Sequence, residues 1–576
     1  MRDLVGREWV DVEVDETCVS ALASALSLSR PIARVLVSRG MTEVESATRF
    51  LNPRLSALSD PFAIAGMEPA VDRIWMALNA GSRITIFGDY DVDGVTSTAL
   101  LTLVLRRLGA TLDHFIPSRH GEGYGLTCQS IAKAIERNSP DLIITVDCGT
   151  NSSAAVALAA ERGVDVIVTD HHECQGEGPE AAVAGVNPKL GSPEVAGMLS
   201  GVGVAFKLCH ALAKRGSEKN YPVVQGLDLR DYLDLVAVGT VADLVPLVGE
   251  NRTLVRHGLV CIKQRPRCGL LALIRVAGIR TDVDCYHLGF QLGPRINAVG
   301  RLDSAEPALQ LLISEKPEDA TRLAGQLDAA NRDRKQIESQ IAEQAVEDIE
   351  KTFDAHETFG IVVGREHWNV GTVGIVASRL CSRYKRPSVV IAFDDDGFGR
   401  GSCRSVGAIN MVEALDACSE LLDSHGGHKM AAGLSLKRDN FSAFCEQFNA
   451  ACKKQAKPSD FISTYTVDAW ITLGEADQNL IAAIGTLQPL GLGNPTPTWG
   501  ARNVSIVGEP RVVGKNHLKM TLASGGTQLD AIAFGMADRD LYNGRIDVLF
   551  HVEENSYMGR TSVQLKIKDF RAASET

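Results

Sequence analysis

Between Arg83 and Glu173 the chain alternates short β-branched runs with longer helical ones: RITIFGDYD, VTSTALLTLVLRRLG, DLIITVDCGT, SSAAVALAAERG and VDVIVTDHHE. This βαβαβ rhythm dictates a parallel sheet, because parallel neighbours need crossover helices. Continuous apolar strands such as LIITV and VIV predict burial on both faces, with helices packed on each side. Each strand runs directly into an acidic motif. Ligands of open α/β sheets bind in the crevice outside the carboxyl ends of the strands, so three motifs distant in sequence should converge there. Three unrelated solvated turns are the bland alternative, and the repetition argues against it.

The chain has 576 residues, more than one hydrophobic core usually organises, which predicts three or four compact units. From Ser314 to about Ala355 the sequence is polar and rich in helix formers with one narrow apolar face, the pattern of a long connecting helix. GIVVG, VGIVASRLCSRYKRP and SVVIAF then restart a β-α-β rhythm. The last hundred or so residues read as short strands with Gly, Pro and Asn turns, consistent with a small closed β-barrel. The expected architecture is multidomain α/β: an N-terminal segment (1–60), a parallel-sheet catalytic domain (61–313), a connecting helix (314–356), a smaller α/β domain (357–458) and a C-terminal β-barrel domain (459–576).

Charge and glycine break every apolar stretch well before about 18 residues, so no membrane span is expected. The opening residues MRDLVGREWVDVEVDE lack the basic start and apolar stretch of a secretory signal, which predicts a cytoplasmic protein. Thirteen cysteines without a CxxC pair fit reduced, mostly buried thiols rather than disulfides or a zinc site. A net charge of −12 argues against a general polyanion binder. Many of those acids fall in a cluster suited to cations and in the connecting helix, so a local basic channel is compatible with the total.

In FGDYDVDGVTS, Asp89, Asp91 and Asp93 alternate, so an extended segment would put them on one side, with Gly94 permitting a tight turn into the next helix. Three like charges so close need a cation, and Mg²⁺ or Mn²⁺ prefer carboxylate oxygens and bridge to phosphate. A calcium loop is excluded by Leu100, which stands where its twelfth-position glutamate should be. TVDCGT puts Asp147 after an apolar strand, followed by a Thr-Asn-Ser-Ser run able to cap a helix. VTDHHE adds Asp170, His171 and His172. Adjacent histidines pointing opposite ways divide roles, one imidazole on metal and one on phosphate, with Asp170 orienting a ring. Asp243, at the end of the apolar helical run DYLDLVAVGTVAD, would be costly unpaired and fits a metal. Carboxylates plus histidine suit a two-metal site for phosphoryl transfer. No GxxxxGK[ST] loop, GxSxG elbow or CxxC pair competes.

These motifs resemble the DHH phosphoesterase superfamily, named for the triplet here at Asp170, His171 and His172. GDYDVDGVTS, IPSRHGEGYGL, TVDCGT, VTDHHE, VGTVADLVPL, GPRINAVGRL, VGIVASRL, GGHKMAAG and GLGNPTP occur in the order of its bacterial single-strand-specific exonucleases, from about Thr42 to about Phe570. The resemblance implies a DHH domain joined by a long helix to a DHHA1 domain, with an OB-fold barrel appended. It also implies Mn²⁺- or Mg²⁺-dependent 5′ to 3′ degradation of single-stranded DNA to mononucleotides in repair and recombination, with a single-strand-binding protein and a helicase as partners. By motif position Asp91, Asp93, Asp147, His171 and Asp243 are the implied metal ligands, Asp89 a further acid and His172 a contact to the scissile phosphate.

Gly426, Gly427 and His428 of GGHKMAAG form the implied phosphate cradle of the DHHA1 domain, where glycines let backbone N–H groups approach. Ser402 and Arg404 in GRGSCRS, and Arg295, Asn297 and Arg301 in GPRINAVGR, are expected phosphate contacts, since arginine presents a fork suited to phosphate. In the barrel, Trp499, Tyr557, Lys515, His517, Lys519 and Arg560 are candidates for a stacking and charge platform, with packing inside the barrel as the alternative for Trp499. Three departures from the family pattern stand out: Cys403 where glycine is usual, HWNVGTVG in place of a short loop after Trp-His, and Tyr557 where tryptophan is expected. The alternatives are a DHH phosphodiesterase acting on short oligonucleotides, cyclic dinucleotides or pyrophosphate, or a DNA-binding scaffold with a dead site. Such scaffolds lose acidic ligands, and this chain keeps Asp or His at each implied position.

Overall fold

The computed structural model describes residues 7–117, 125–174, 176, 178–190, 197–302, 304–539, 544–557 and 560–573, with residues 556, 557 and 560 described by their backbone alone. Most of IPSRHGEGYGL, and the side chains of Tyr557 and Arg560, therefore lie outside the described residues. The first described strand, β1 (Arg7–Asp11), finds its partner near the far end of the chain. Two compact units form, one from Thr48–Arg332 with Leu487–Thr496, the other from Met1–Ala47, Asp333–Thr486 and Pro497–Thr576.

The first unit is built on β2 (Arg83–Gly88), β3 (Thr111–Phe115), β4 (Leu142–Val146), β5 (Asp165–Thr169) and β6 (Ala184–Val186), ordered β3-β2-β4-β5-β6. Every pairing is parallel, as the crossover rhythm requires. All five residues of β4 are buried, the signature of a strand covered on both faces. Helix α1 (Val92–Arg107) is buried almost all round, and its Thr96 and Thr98 hydroxyls satisfy themselves on the carbonyls of Val92 and Gly94. Further helices include α2 (Ser153–Glu161), α3 (Gly201–Glu218), α4 (Leu233–Ala242), α5 (Gly249–Gln264) and α6 (Gly293–Leu302).

The long helix α7 (Pro317–Glu350) has 34 residues, about 50 Å at 1.5 Å per residue. Its apolar positions serve two cores in turn. Ala320, Leu323, Ala324 and Leu327 join the core of the first unit, and Ile341, Ala342, Ala345 and Ile349 pack with Ile361 and Val363 in the second. Both sets follow the helical i, i+3, i+4 spacing, so the single narrow stripe predicted from sequence is real.

In the second unit, β7 (Ile361–Glu366), β8 (Ser388–Phe393), β9 (Phe398–Arg404), β10 (Ser424–His428) and β11 (Ala431–Lys437) form a mixed sheet ordered β10-β11-β9-β8-β7. Only the β7–β8 pair, bridged by α8 (Val373–Tyr384), is parallel. Cys403 is fully buried in the core of this sheet beside Val389 and Ala432, so the departure from glycine fills space. Trp368 of the departing HWNVGTVG segment is also buried and donates to Gln344 of α7 at 2.7 Å.

After β12 (Ser463–Val467) and β13 (Ala469–Trp470), the strands β14 (Trp499–Val513), β15 (His517–Ser524), β16 (Thr527–Ala533), β17 (Arg545–Tyr557) and β18 (Arg560–Ala572) close a five-stranded barrel, β14 pairing with β17 to complete the ring. β1 lies parallel to β12. Asp569 of the barrel fixes this N-terminal strand by accepting from Arg7 at 2.6 Å and from the Trp9 indole at 2.7 Å. No described helix is long and apolar enough to cross a membrane.

Candidate metal centre

The register of the parallel sheet sets the floor of the site. Gly88, Val146, Thr169 and Val186 are successive partners across β2, β4, β5 and β6. The next residues, Asp89, Asp147, Asp170 and Asn187, therefore leave the sheet at one level. Asp147 does so with φ +60, a left-handed conformation uncommon outside glycine, asparagine and aspartate.

The expected extended Asp89–Asp93 segment does not exist. Asp91 is the N-cap of α1, its carboxylate accepting from Gly94 N at 3.0 Å, and Asp93 already lies in the first helical turn. The helix starts one residue after the second acid because capping satisfies its free N–H groups early. Gly94 makes no turn; a Cβ there would sit 2.5 Å from the Asp89 carbonyl, so glycine is needed for close packing of the loop on the helix. The Thr-Asn-Ser-Ser run likewise does not cap α2, whose N-cap Ser152 makes no side-chain bond. Thr150 instead donates its N–H to Asp170 at 3.0 Å.

Asp93 accepts from the first N–H groups of α3, Gly201 at 2.6 Å and Val202 at 2.8 Å, the natural place for an anion at a helix N-terminus. Asp243 is the C-cap of α4. His171 Nε2 faces three acids: Asp147 at 3.1 Å, Asp243 at 3.6 Å and Asp93 at 3.9 Å. Asp89, Asp91 and Asp147 offer a second group of oxygens within 4.8 Å of one another.

Burial and mutual repulsion drive these carboxyls upward. Asp89 and Asp243 rise to about 7, burial being the larger cause and Asp91 the next. Asp93 and Asp147 are pushed well above the carboxylate range by burial and by neighbouring aspartates. Burial and the neighbouring His172 charge hold His171 down at about 4, leaving it a neutral donor of its lone pair. Asp147 Oδ1, His171 Nε2 and Asp89 Oδ2 are buried without any hydrogen-bond partner. Two ligands of one ion at about 2.1 Å sit about 3 Å apart in octahedral geometry, which is the His171 to Asp147 spacing. A divalent cation would satisfy the orphaned atoms and reverse the repulsion together, so the residues fit such an ion.

The two histidine rings meet different partners. His172 turns its Nδ1 to Asp170 Oδ1 at 2.7 Å, its side chain is partly exposed, and one of its ring nitrogens lies within 4.8 Å of ligand atoms of Asp147 and His171. That bond raises the His172 pKa. Burial alone would raise the Asp170 carboxyl, but the bond and charge of His172 and the Thr150 N–H outweigh it and hold Asp170 below the usual carboxylate range. Asn187 ties this corner together by donating to Thr150 Oγ1 at 3.0 Å and to the His172 carbonyl at 2.9 Å.

Arg295, Asn297 and Arg301 share α6. Arg295 is engaged by Asp328 at 3.0 Å and by the Gln291 carbonyl at 2.7 Å. Asn297 and Arg301, one turn apart, flank Gly300, where a Cβ would lie 2.8 Å from the Tyr90 carbonyl of the acidic loop. In the second unit, Ser402 and Arg404 of β9 meet the start of α8, where a Cβ on Gly374 would touch both side chains. Gly426, Gly427 and His428 form the exposed edge strand β10, not a turn, and Gly427 has φ +149 with no room for a Cβ against Ala431 and Ala432.

Trp499 is completely buried inside the barrel and offers no stacking face. Lys515 is exposed and Lys519 pairs with Asp530 at 3.5 Å. His517 packs its ring edge-on against Phe534, a half-exposed aromatic that no sequence motif singles out. Sequence reasoning also misses Gly201 and Gly239, where a Cβ would come within 2.6 Å of Asp147 Oδ1 and within 2.9 Å of Asp93 Oδ1 respectively. The small-residue run SGVG at the head of α3 is the available signal.

Sequence profiles of known families match three segments: the DHH family, N-terminal domain, at residues 83–240, the DHHA1 domain at 357–454 and the RecJ OB domain at 467–569. The single-stranded-DNA-specific exonuclease RecJ of Bacillus subtilis is 37% identical over 569 residues, covering 97% of this chain and 70% of that protein. The enzyme of the same name from Escherichia coli is 35% identical, covering 96% of this chain and 97% of its own. The crystal structure of RecJ in complex with Mn²⁺ from Thermus thermophilus superposes with a TM-score of 0.84 at 30% identity, covering 100% of this chain and 81% of that one. The Mg²⁺ complex from the same organism gives 0.78 at 29% identity, covering 100% and 80%. The chain therefore belongs to the RecJ family of single-stranded-DNA-specific exonucleases, with its DHH, DHHA1 and OB domains in order along one polypeptide.

Proposed function

We propose that this chain is a metal-dependent exonuclease that degrades single-stranded DNA to mononucleotides from the 5′ end, in repair and recombination. The observation that carries the reading is the buried convergence of Asp147, His171, Asp243 and Asp93 at the carboxyl ends of the sheet, with its orphaned ligand atoms. The relatives' names specify single-stranded DNA, and their structures contain Mn²⁺ or Mg²⁺, ions that match this oxygen-rich donor set.

Asp91, Asp93, Asp147, His171 and Asp243 are the residues that would hold the ions, with Asp89 as a further acid facing the same space. Such ions, when bound there, would supply Lewis-acid activation of water and charge neutralisation at the phosphoryl group. His172, whose proton affinity the Asp170 bond raises, donates from the nitrogen not bonded to Asp170 to the scissile phosphate. Asp170 positions that ring through its bonds to the backbone of Thr150 and His171. Asn297 and Arg301 contact the strand beside the acidic loop, and Ser402, Arg404, Gly426, Gly427 and His428 bind phosphate from the second α/β domain. In the division 1–60, 61–313, 314–356, 357–458 and 459–576, the metal, His172 and α6 residues fall in 61–313 and the phosphate residues of the second α/β domain in 357–458. Cytoplasmic residence, a single-strand-binding protein and a helicase as partners complete the reading.

End-labelled single and double strands tested with Mn²⁺ and with EDTA decide the matter. Mn²⁺ should permit digestion of the single strand from a free 5′ end, and a blocked 5′ end or EDTA should stop it. Digestion from the 3′ end would overturn the polarity, and digestion in EDTA would overturn the metal dependence.

A further inference from the structure

Beside Asp243 the surface is apolar where a site for a polyanion would be expected to be polar. Tyr286 is 60% exposed, Phe290 66% and Leu244 64%. Single exposed apolar residues are ordinary, but these rings are stacked on each other at 5.2 Å with 28° between their planes. Leu244 follows Asp243 directly and takes φ +61, a strained conformation for a bulky residue.

The chain places this patch with care. Phe290 stands on a single π turn, Leu288–Leu292, of a kind that recurs at functional sites. That turn packs on the last residues of α4 before Asp243: a Cβ on Gly289 would lie 3.6 Å from Val241, and one on Gly293 3.5 Å from Ala242. α6 continues from the turn to the other wall of the acid cluster, where Gly300 abuts Tyr90. The aromatic pair thus stands on the run of chain that packs against the end of α4 before Asp243 and continues to Asn297 and Arg301.

We propose that Tyr286 and Phe290 form a stacking platform for an unpaired base of the strand whose phosphate lies at the acid cluster, with Leu244 flanking it. Nucleobases present apolar π faces whatever their sequence, so such a platform is sequence-tolerant. A base held in a duplex must first be unpaired and unstacked to use it, which penalises double strands. The platform thereby selects single strands independently of the metal chemistry. This inference rests on the exonuclease reading above.

The test compares wild type, the Tyr286→Leu/Phe290→Leu double variant and Tyr286→Phe on an intact strand and on one with abasic tetrahydrofuran residues at its first three 5′ positions. Wild type should show a KM about tenfold higher on the abasic strand, the range expected from stacking of one base. The double leucine variant should show that rise already on the intact strand, with kcat within about twofold and no further rise on the abasic one, while Tyr286→Phe keeps the wild-type KM. An unchanged KM in the leucine variant, or a full abasic penalty persisting in it, overturns the platform. Binding of a strand carrying 2-aminopurine, titrated in EDTA, separates this from failure of the exonuclease reading. Wild type should quench the probe and the leucine variant should not, whether or not cleavage occurs; equal quenching overturns the proposal.

Discussion

The Nε2 atom of His171 lies 3.1 Å from Oδ1 of Asp147, and neither atom has a hydrogen-bond partner. Two buried acceptors facing each other need a proton or a metal cation between them. Asp147→Asn should therefore lower cleavage by about 10³-fold or more, since a metal supplies several kcal/mol of transition-state stabilisation. The thermal shift given by Mn²⁺ should disappear as well. The metal-free variant should melt higher than metal-free wild type, because the amide removes repulsion from Asp93, Asp91 and Asp89. Melting curves with Mn²⁺ and with EDTA, beside a cleavage assay, check all three; undiminished cleavage would remove Asp147 from the site.

Asp170 meets the His172 ring at 2.7 Å, and in the proposed reaction it acts through that ring. Replacing it with Asn keeps the volume but presents a donor to N–H groups that need an acceptor, those of Thr150, His171 and His172. The expected loss in kcat is about 10- to 100-fold, the usual cost of removing a group that orients a ligand or catalytic ring. In a His172→Ala background the same substitution should cost far less, and additive losses in the double variant would refute the coupling.

His551 of β17 gives the barrel an acid sensitivity. Burial, reinforced by Lys568 and Lys566, lowers its pKa from 6.5 to about 4. A depressed folded pKa means the stability is fully present above 6.5 and is lost as pH falls through about 4. His551→Gln should flatten that part of the curve by about 1 to 3 kcal/mol. Thermal melts between pH 7 and pH 4 measure it, and identical slopes for both proteins would count against the account.

Much of the site is legible in the sequence because the motifs sit where periodicity changes. An apolar strand followed by an acid, three times over, is enough by itself to place Asp89, Asp147 and Asp170 on one sheet edge. The stripe on α7 and the short strands of the barrel are legible for the same reason. What escapes is whatever depends on close approach between distant segments. Gly201 and Gly239 matter only because α3 and α4 press against Asp147 and Asp93. The alternation of Asp89, Asp91 and Asp93 suggests a strand, whereas capping by Asp91 starts a helix and turns Asp93 onto the head of α3. Nothing in sequence shows that Asp328 of α7 meets Arg295 of α6.

GLGNPTP falls inside the segment matched by the RecJ OB domain in sequence, yet up to Thr496 it belongs spatially to the first unit. Arg252 of α5, 2% exposed, holds it there. Its guanidinium donates to the carbonyls of Leu487 and Pro489 at 3.1 Å, of Gln488 at 2.8 Å and of Phe50 at 2.8 Å. It also stacks 3.6 Å from the Phe50 ring. Asn494 closes the same turn by bonding Leu487 and Pro489, and Leu247 N donates to the Leu492 carbonyl at 2.7 Å. A planar fork with five donors serves these acceptors; an ammonium cannot reach them all. Arg252→Lys should therefore cost about 3 kcal/mol through buried carbonyls left short of partners, lowering Tm by roughly 5 to 10 °C. Limited proteolysis should cut the variant between Thr486 and Trp499 faster than wild type, because the segment loses its tether on α5. Equal cutting rates would mean that Asn494 and Leu247 hold the segment without Arg252.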